Sequence, residues 1–533
     1  MKTFKPILIL TLITSIIVGL SYFFYLKPQI YLWDETGFIW LGYEFHKLIL
    51  AGDWGGFWAL TRKQVSYPFF QGWYLGFASL PFQYSLELAR ALNLLLLIPT
   101  VIVVWFLGKK IDVKMNLLPI LSVFLVLSSP GIIYYFSTAM KEGMGLLLTL
   151  LIILFYWLAR ERQKWYWYSL AGLSLICLFF VKNYYAVYPL FALGTESLLF
   201  LLMNKNFTKK EFWLNLAWLI IPFIVTTIYW VLILPGNLRI IVHEFVNIAD
   251  FYTTFIGHVL FYPQEWAFTY TFSWVALLII LGSFVWTAIK YRTNFKVRSL
   301  VLLFLINYAL AIYSVGKNQA RYHFTTVPAM YIVGSYGLAL LLPKWKIILK
   351  KSYWVGFLSP VILIATLIMV YDLVTMPLMV RPVGSHQLGG ALYYEQDYQN
   401  VTRFDFNRRN WPHIQAPAGS QTVNDIYDFI FQNVDVRKNV NLIGQLDEFP
   451  PYLFMYNIEV ARDRDLNRVE SNFNTYFITL EVTPGTRFDT ADYHHFNYWP
   501  VTIIPQYKNN PGLTKIAEKY FDYLGVRITI LGG

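Results

Sequence analysis

The chain has 533 residues, 57% of them hydrophobic, 19% aromatic and only 14% charged, with a mean hydropathy of +0.46. A water-soluble globular protein carries about 25% charged residues, so most of this chain belongs in lipid. The net charge is +12, but the Lys and Arg fall between apolar stretches as membrane topology requires, which removes nucleic acid as the explanation of the basic balance.

Residues 6–26, "PILILTLITSIIVGLSYFFYL", follow Lys2 and Lys5. The run is long for a signal peptide and lacks a small-residue cleavage site, so it reads as a retained first helix. Next comes "WDETGFIWLGYEF", with the adjacent carboxylates Asp34 and Glu35. Phe38, Leu41, Phe45, Leu48 and Ile49 then recur at helical spacing, which suits a helix lying on the outer surface until "AGDWGG" breaks it. The stretch 66–82 has Pro68 and Pro81 near its ends and reads as a re-entrant or interfacial piece.

Apolar segments long enough to cross or nearly cross a bilayer follow at 86–107, 117–136, 143–159, 165–181, 184–203, 212–234, 271–290, 299–316, 324–342 and 353–374. With the first helix they make about eleven spans. Charge tests that topology. With the amino terminus inside, the inside loops hold 19 Lys/Arg against 3 acids, while the outside loops and spans up to residue 380 hold 10 against 11. This bias is what the positive-inside rule requires, and counting 66–82 as a span would invert it. The lone Cys177 lies in an apolar run, so there is no disulfide framework and no cysteine metal site.

From 381 the composition changes to 14 Lys/Arg against 17 acids. Residues 381–533 read as an extracytoplasmic soluble α/β domain behind a 1–380 membrane domain with outer loop 27–85. Val423, Ile426, Tyr427, Ile430, Phe431 and Val434 make one face of a helix. "NVNLIGQ", "YFITLEV" and "VRITILGG" read as strands, and "GLTKIAEKYFDYLG" as a helix ending at Gly525.

Asp34 and Glu35 have a plain reading as a helix cap and first-turn acid. The other polar anomalies gather on the same expected outer face. Glu142 lies in the turn between the third and fourth spans, Lys182 in the next outside turn, and Lys317 and Arg321 before the tenth span. The long outside loop 235–270 carries His243, Glu244, Asp250, His258 and Glu265. Each also has a plainer reading: Lys182 as a snorkelling side chain, Glu142 as a loop charge beside Lys141, Lys317 and Arg321 as lipid headgroup contacts. Glu196 is deeper in a span and expensive there without a partner, which the sequence does not name. His494–His495 reads as a surface pair.

"WDETGFIWLGYEFHKLILAGDW" resembles the first outer loop of the GT-C membrane glycosyltransferases, especially the bacterial aminoarabinose transferases and their protein O-mannosyltransferase relatives. "SYPFFQGWYLGF" with "ELARALNLLLLI", which includes Arg90, is similar to their Pro-containing segment and next helix. "SSPGIIYYFSTAMKEGM" resembles the segment with their second outer carboxylate, at Glu142. "VKNYYAVYP" and "ARYHFTTVPAMYIV" resemble their Lys turn and their Arg-Tyr helix start. The resemblance covers most of 1–375.

It implies an integral membrane transferase, in a bacterial inner membrane, that takes a sugar from a polyprenyl-phosphate donor to a lipid, glycan or protein acceptor. Asp34, Glu35 and Glu142 would be the catalytic carboxylates. Lys182, Lys317, Arg321 and Tyr322 would hold the donor phosphate, with His243, Glu244 and His258 as loop contacts. No cofactor is implied with certainty, and a divalent metal stays open. One departure matters: aminoarabinose transferases have Lys-Pro-Pro where this chain has Ser66-Tyr67-Pro68-Phe69; Arg62 or Lys63 could substitute, but the sugar and the acceptor do not carry over from that enzyme.

A transporter or flippase for a lipid-linked or anionic substrate would also explain the many spans and Glu196. It explains poorly why the polar residues favour one face. An outward-facing glycan polymerase would want a cationic outer loop, and 235–270 offers only Arg239 as a clear cation.

Overall fold

The computed structural model describes residues 4–21, 33–64, 68–204, 210–233, 262–263, 266–271, 274–314, 322–345, 423–443, 458, 473–482, 504–521 and 526–533. The chain divides into two compact units, 1–27 with 41–404 and 28–40 with 405–533. The expected boundary at 380/381 lies outside the described residues, as does the last expected span, 353–374.

The first unit is helical. After α1 (Phe4–Ser21) and α2 (Trp33–Leu50), of which residues 41–50 belong to this unit, comes α3 (Trp54–Lys63), started by Asp53, whose carboxylate accepts the Gly56 N–H at 2.8 Å. The expected apolar positions Phe38, Leu41 and Phe45 of α2 are buried, but so are Ile39, Tyr43 and His46. Much of the helix is thus enclosed by the protein on more than the one face that the pattern suggested, while Leu48 and Ile49 are half-buried and Leu50 is exposed. One cause is a close approach by α4 (Phe70–Ala78): a Cβ on Gly76 would fall 2.8 Å from the Phe45 Cβ and 3.2 Å from the His46 nitrogen. Small residues at such crossings let helices approach closely without help from the hydrophobic effect. At nine residues α4 is far too short to cross a bilayer.

Next in the chain are α5 (Leu86–Leu95), α6 (Leu97–Ile111), α7 (Leu117–Leu127) and α8 (Pro130–Ser137). The expected single span at 117–136 is broken, with the two helices inclined by 66°. Pro130 supplies the reason, since it has no N–H to continue α7 and suits the first turn of a new helix.

The remaining helices are α9 (Glu142–Arg162), α10 (Trp165–Val181), α11 (Asn183–Asn204), α12 (Lys210–Ile228), α13 (Trp274–Lys290), α14 (Phe295–Ser314) and α15 (Val327–Trp345). Among the described residues four helices are long and apolar enough to cross a membrane, at 86–111, 142–162, 183–203 and 295–312; the bent pair would make a fifth. Shorter apolar helices lie at 165–181, 216–232, 276–290 and 327–341.

Helix α9 is enclosed along most of its length and packs against α10 and α6. Near its C-terminal end Glu196 of α11 finds its partners. One carboxylate oxygen accepts from Arg298 of α14 at 2.6 Å; the other accepts from Arg160 of α9 at 2.9 Å and from the Tyr156 hydroxyl. The Arg160 guanidinium also stacks 3.9 Å from the centroid of the Phe200 ring. A buried carboxylate is tolerated when charges and hydrogen bonds surround it, and here two arginines and a phenol do so.

The second unit holds a four-stranded sheet of β1 (Asn439–Ile443), β2 (Thr475–Val482), β3 (Thr514–Phe521) and β4 (Val526–Gly532), in the order β1-β2-β4-β3. The β1–β2 pair is parallel and the other two pairs are antiparallel. Helix α16 (Val423–Asn433) buries Ile426, Tyr427 and Ile430, as its periodicity indicates. The expected helix over 512–525 is corrected: Thr514–Phe521 is an edge strand. Ile516, Ala517, Tyr520 and Phe521 do recur at helical spacing, but pairing with the apolar β4 overrides that local preference. A register shift between Lys515 and Ala517 absorbs Ile516, and the charged Lys515, Glu518 and Lys519 suit an exposed edge.

Candidate functional site

Lys182 is the only non-helical residue between α10 and α11, in extended conformation at φ −160° and ψ 115°. Its side chain reaches α9. The ammonium nitrogen lies 3.0 Å from Glu142 Oε1, and the Tyr185 hydroxyl donates to the same oxygen at 3.1 Å. The Glu142 side chain is 1% exposed and that of Lys182 is 18% exposed, so the pair is shielded yet open at its cationic end.

Three rings surround the ammonium, with Nζ 5.0 Å from the centroid of Tyr184, 4.9 Å from Tyr185 and 5.6 Å from Tyr322. Such rings stabilise a cation most when water is excluded. Gly145 permits the arrangement, since a Cβ there would sit 2.8 Å from the Tyr185 ring.

The turn that delivers Glu142 is held from below. Asn93 of α5 donates its side-chain amide to the carbonyls of Tyr135 at 3.2 Å, Phe136 at 3.3 Å and Thr138 at 2.5 Å. The Tyr135 and Phe136 carbonyls lie in the last turn of α8 and that of Thr138 just beyond it, and the Tyr135 carbonyl also accepts from the Thr138 hydroxyl at 3.2 Å. The Asn93 carbonyl oxygen in turn accepts from Gln71 Nε2 of α4 at 3.2 Å. Lys141, next to Glu142, is also buried, at 2% exposure.

On the far side Tyr322 is buried, its ring 5.5 Å from Tyr184, and its carbonyl accepts from Asn307 at 3.1 Å. The neighbouring His323 is wholly buried, 4.2 Å from the Tyr262 ring and 5.3 Å from Trp266. Burial among these rings pushes its imidazole down to about 3.

Of the residues singled out in the sequence, Glu142, Lys182 and Tyr322 come together. Asp34 lies in the first turn of α2, with its side chain outside the described set, and Glu35 is fully buried in the same helix. Lys317, Arg321, His243, Glu244 and His258 lie outside the described residues. Among the described residues no three His, Cys, Asp or Glu side chains converge to hold a metal. Tyr184, Tyr185, Asn93 and Gln71 escaped the sequence reading. The tyrosines were signalled only by standing next to Lys182, and the two amides by nothing local.

The cluster can do two things chemically. It presents a held cation to an anionic group, and it keeps a carboxylate within reach of that cation.

No protein-family profile matches the chain, and no curated protein sequence does. Solved structures match over nearly its whole length. ArnT from Cupriavidus metallidurans in the apo state aligns over 100% of this chain and 98% of its own, with a TM-score of 0.55 and 12% identity. The same protein bound to undecaprenyl phosphate aligns over 98% of this chain and 97% of its own, again at 0.55 and 12%. The archaeal oligosaccharyltransferase AglB from Archaeoglobus fulgidus, in complex with an inhibitory peptide and a dolichol-phosphate, aligns over 89% of this chain and 69% of its own, at 0.48 and 12%. ArnT is an aminoarabinose transferase of the GT-C type, and the fold of this chain is the GT-C fold that the resemblance implied.

Proposed function

We propose that the chain is an integral-membrane glycosyltransferase that moves a sugar from a polyprenyl-phosphate donor to an acceptor hydroxyl on the extracytoplasmic face. The observation that carries this reading is the caged Lys182–Glu142 pair, in a chain whose fold matches ArnT from end to end. ArnT has been solved with undecaprenyl phosphate, which supports a phosphate-bearing lipid as the ligand class here.

The chemistry is a single displacement with inversion. The acceptor oxygen attacks the anomeric carbon, the bond from that carbon to the phosphate oxygen breaks, and the phosphate leaves on its lipid. A phosphate is a good leaving group and needs cationic stabilisation more than it needs a proton. Lys182 supplies that charge, joined by Lys317 and Arg321, with Tyr322 on the wall. Asp34 takes the acceptor proton as general base. Glu35 and Glu142 orient the acceptor and tune that base. His243, Glu244 and His258 contact the substrates from their loop, and residues 381–533 form the extracytoplasmic domain. The membrane is a bacterial inner membrane with the amino terminus cytoplasmic, and the acceptor is a lipid, a glycan or a protein.

A transporter drew its support from Glu196, and the two arginines beside that residue account for it as a helix-to-helix contact.

Mass spectrometry of lipids co-purifying with the protein tests the proposal. Wild type and Asp34→Asn retain polyprenyl phosphate, Lys182→Ala with Arg321→Ala loses it, and Asp34→Asn fails to form product in membranes where wild type does. Full turnover by Asp34→Asn ends the general-base assignment. Absence of such a lipid under extraction that keeps other native lipids ends the donor assignment.

A further inference from the structure

We infer that Asn93 and Gln71 are positioning residues that set the place of the Glu142 carboxylate relative to Lys182. The inference rests on the functional reading above for its relevance to a phosphate-bearing lipid, and on geometry alone for the placement.

Helix α8 ends at Ser137 and α9 begins at Glu142, so only four residues carry the chain from one helix into the other. That short turn fixes where Glu142 stands. The carbonyls of Phe136 and Thr138 need a donor at this turn, and that of Tyr135 takes one from Asn93 beside the Thr138 hydroxyl, which donates to it at 3.2 Å. Asn93 meets all three with one amide nitrogen. No other neutral side chain of that size offers two hydrogens at one point; an aspartate would set a negative charge against three carbonyl oxygens.

An asparagine amide can sit either way round, and the wrong way would turn its oxygen onto those carbonyls. The three carbonyls select the productive orientation, and Gln71 Nε2 adds to that preference by donating to Asn93 Oδ1. Gln71 is fully buried and sits on α4, the short helix pressed against α2 through Gly76. Position thus passes from α4 through two amides to the end of α8 and the first residue of α9. The contact is close: a Cβ on Gly143 would lie 3.3 Å from the Asn93 amide nitrogen. Neither amide reaches the carboxylate itself; both act through the backbone that carries it.

The test is a double-mutant cycle on the full-length protein in detergent, with undecaprenyl phosphate as the probe and native mass spectrometry as the readout. Glu142→Gln removes the negative charge beside Lys182 and tightens binding of the phosphate about tenfold. In Asn93→Ser, and in Gln71→Leu if the first variant does not fold, that gain drops to about twofold or less, because the carboxylate no longer stands beside the ammonium. Hydrogen exchange over residues 135–145 rises in the same variants, while exchange over 423–443 stays as in wild type.

Additive effects in folded variants, with the Glu142→Gln gain intact, overturn the positioning role even if thermal stability falls. Should wild type bind the probe no better than Lys182→Ala, the functional reading fails. Exchange then decides the placement: unchanged rates over 135–145 overturn it, and faster rates confined there support it.

Discussion

The enclosed Glu142 carboxylate stands 3.0 Å from the half-buried Lys182 ammonium, which sets the sign of an informative substitution. Glu142→Gln keeps the shape and can still accept from the Tyr185 hydroxyl, but it removes one negative charge from beside the ammonium. At a separation of several ångströms and an effective dielectric near 20, a unit charge is worth of order 1–3 kcal/mol to an anion bound at Lys182. Undecaprenyl phosphate should therefore bind tighter by about tenfold, and the gain should persist in high salt because the pair is shielded. Weaker binding in titrations of this variant would mean that Glu142 helps to hold the ligand. The same two residues show what a sequence reveals at this scale. A lysine and a glutamate at the ends of apolar runs stood out as anomalies. Their contact joins positions 40 apart, and the supporting amides of Gln71 and Asn93 meet carbonyls up to 45 residues further on. Nothing local marks an asparagine in a helix as the partner of three distant carbonyls.

Helices α9, α11 and α14 are tied together by Glu196, Arg160 and Arg298, and only the carboxylate stood out in the sequence, because 102 residues separate it from Arg298. Removing one member of a buried ion network leaves the others without compensation, at a cost of about 3–5 kcal/mol. Glu196→Gln should therefore lower the unfolding temperature in detergent markedly while leaving undecaprenyl phosphate affinity close to wild type. An unchanged melting temperature would show the network to be dispensable for packing. Most helices were legible because apolar runs between basic loops have few alternatives. The exceptions have local causes. Ser128, Ser129 and Pro130 break a run that hydropathy reads as continuous, and the edge strand Thr514–Phe521 has a helical period that only its partner strand overrules.

At the scale of the molecule, the sheet unit carries exposed ion pairs outside its apolar core. Asp435 after α16 receives the Arg437 backbone N–H at 3.0 Å and its guanidinium at 2.8 Å and 3.0 Å. These hydrogen bonds hold its carboxyl below the ordinary value of 3.8. A group whose folded value is depressed contributes its full stability above the unfolded value and loses it as pH falls through the folded one. Asp435→Asn should thus destabilise this unit at neutral pH by at most about 1 kcal/mol, since Arg437 is half exposed. The difference from wild type should vanish in denaturant titrations run well below pH 3.8. A gap that persists there would assign the effect to packing.

The helical unit faces a different solvent, and α9 carries the mark of it. One shielded charge cluster stands at its first residue, Glu142, and another at Arg160, eighteen positions later. At 1.5 Å per residue the two lie about 27 Å apart along the helix, close to the roughly 30 Å of a bilayer's hydrocarbon layer. Both clusters are enclosed by protein, so the charges at the two ends of α9 are balanced inside the bundle, by Lys182 at one end and by Glu196 at the other. Lipid of another thickness would press on the outer helices first and reach the candidate carboxylate only through them.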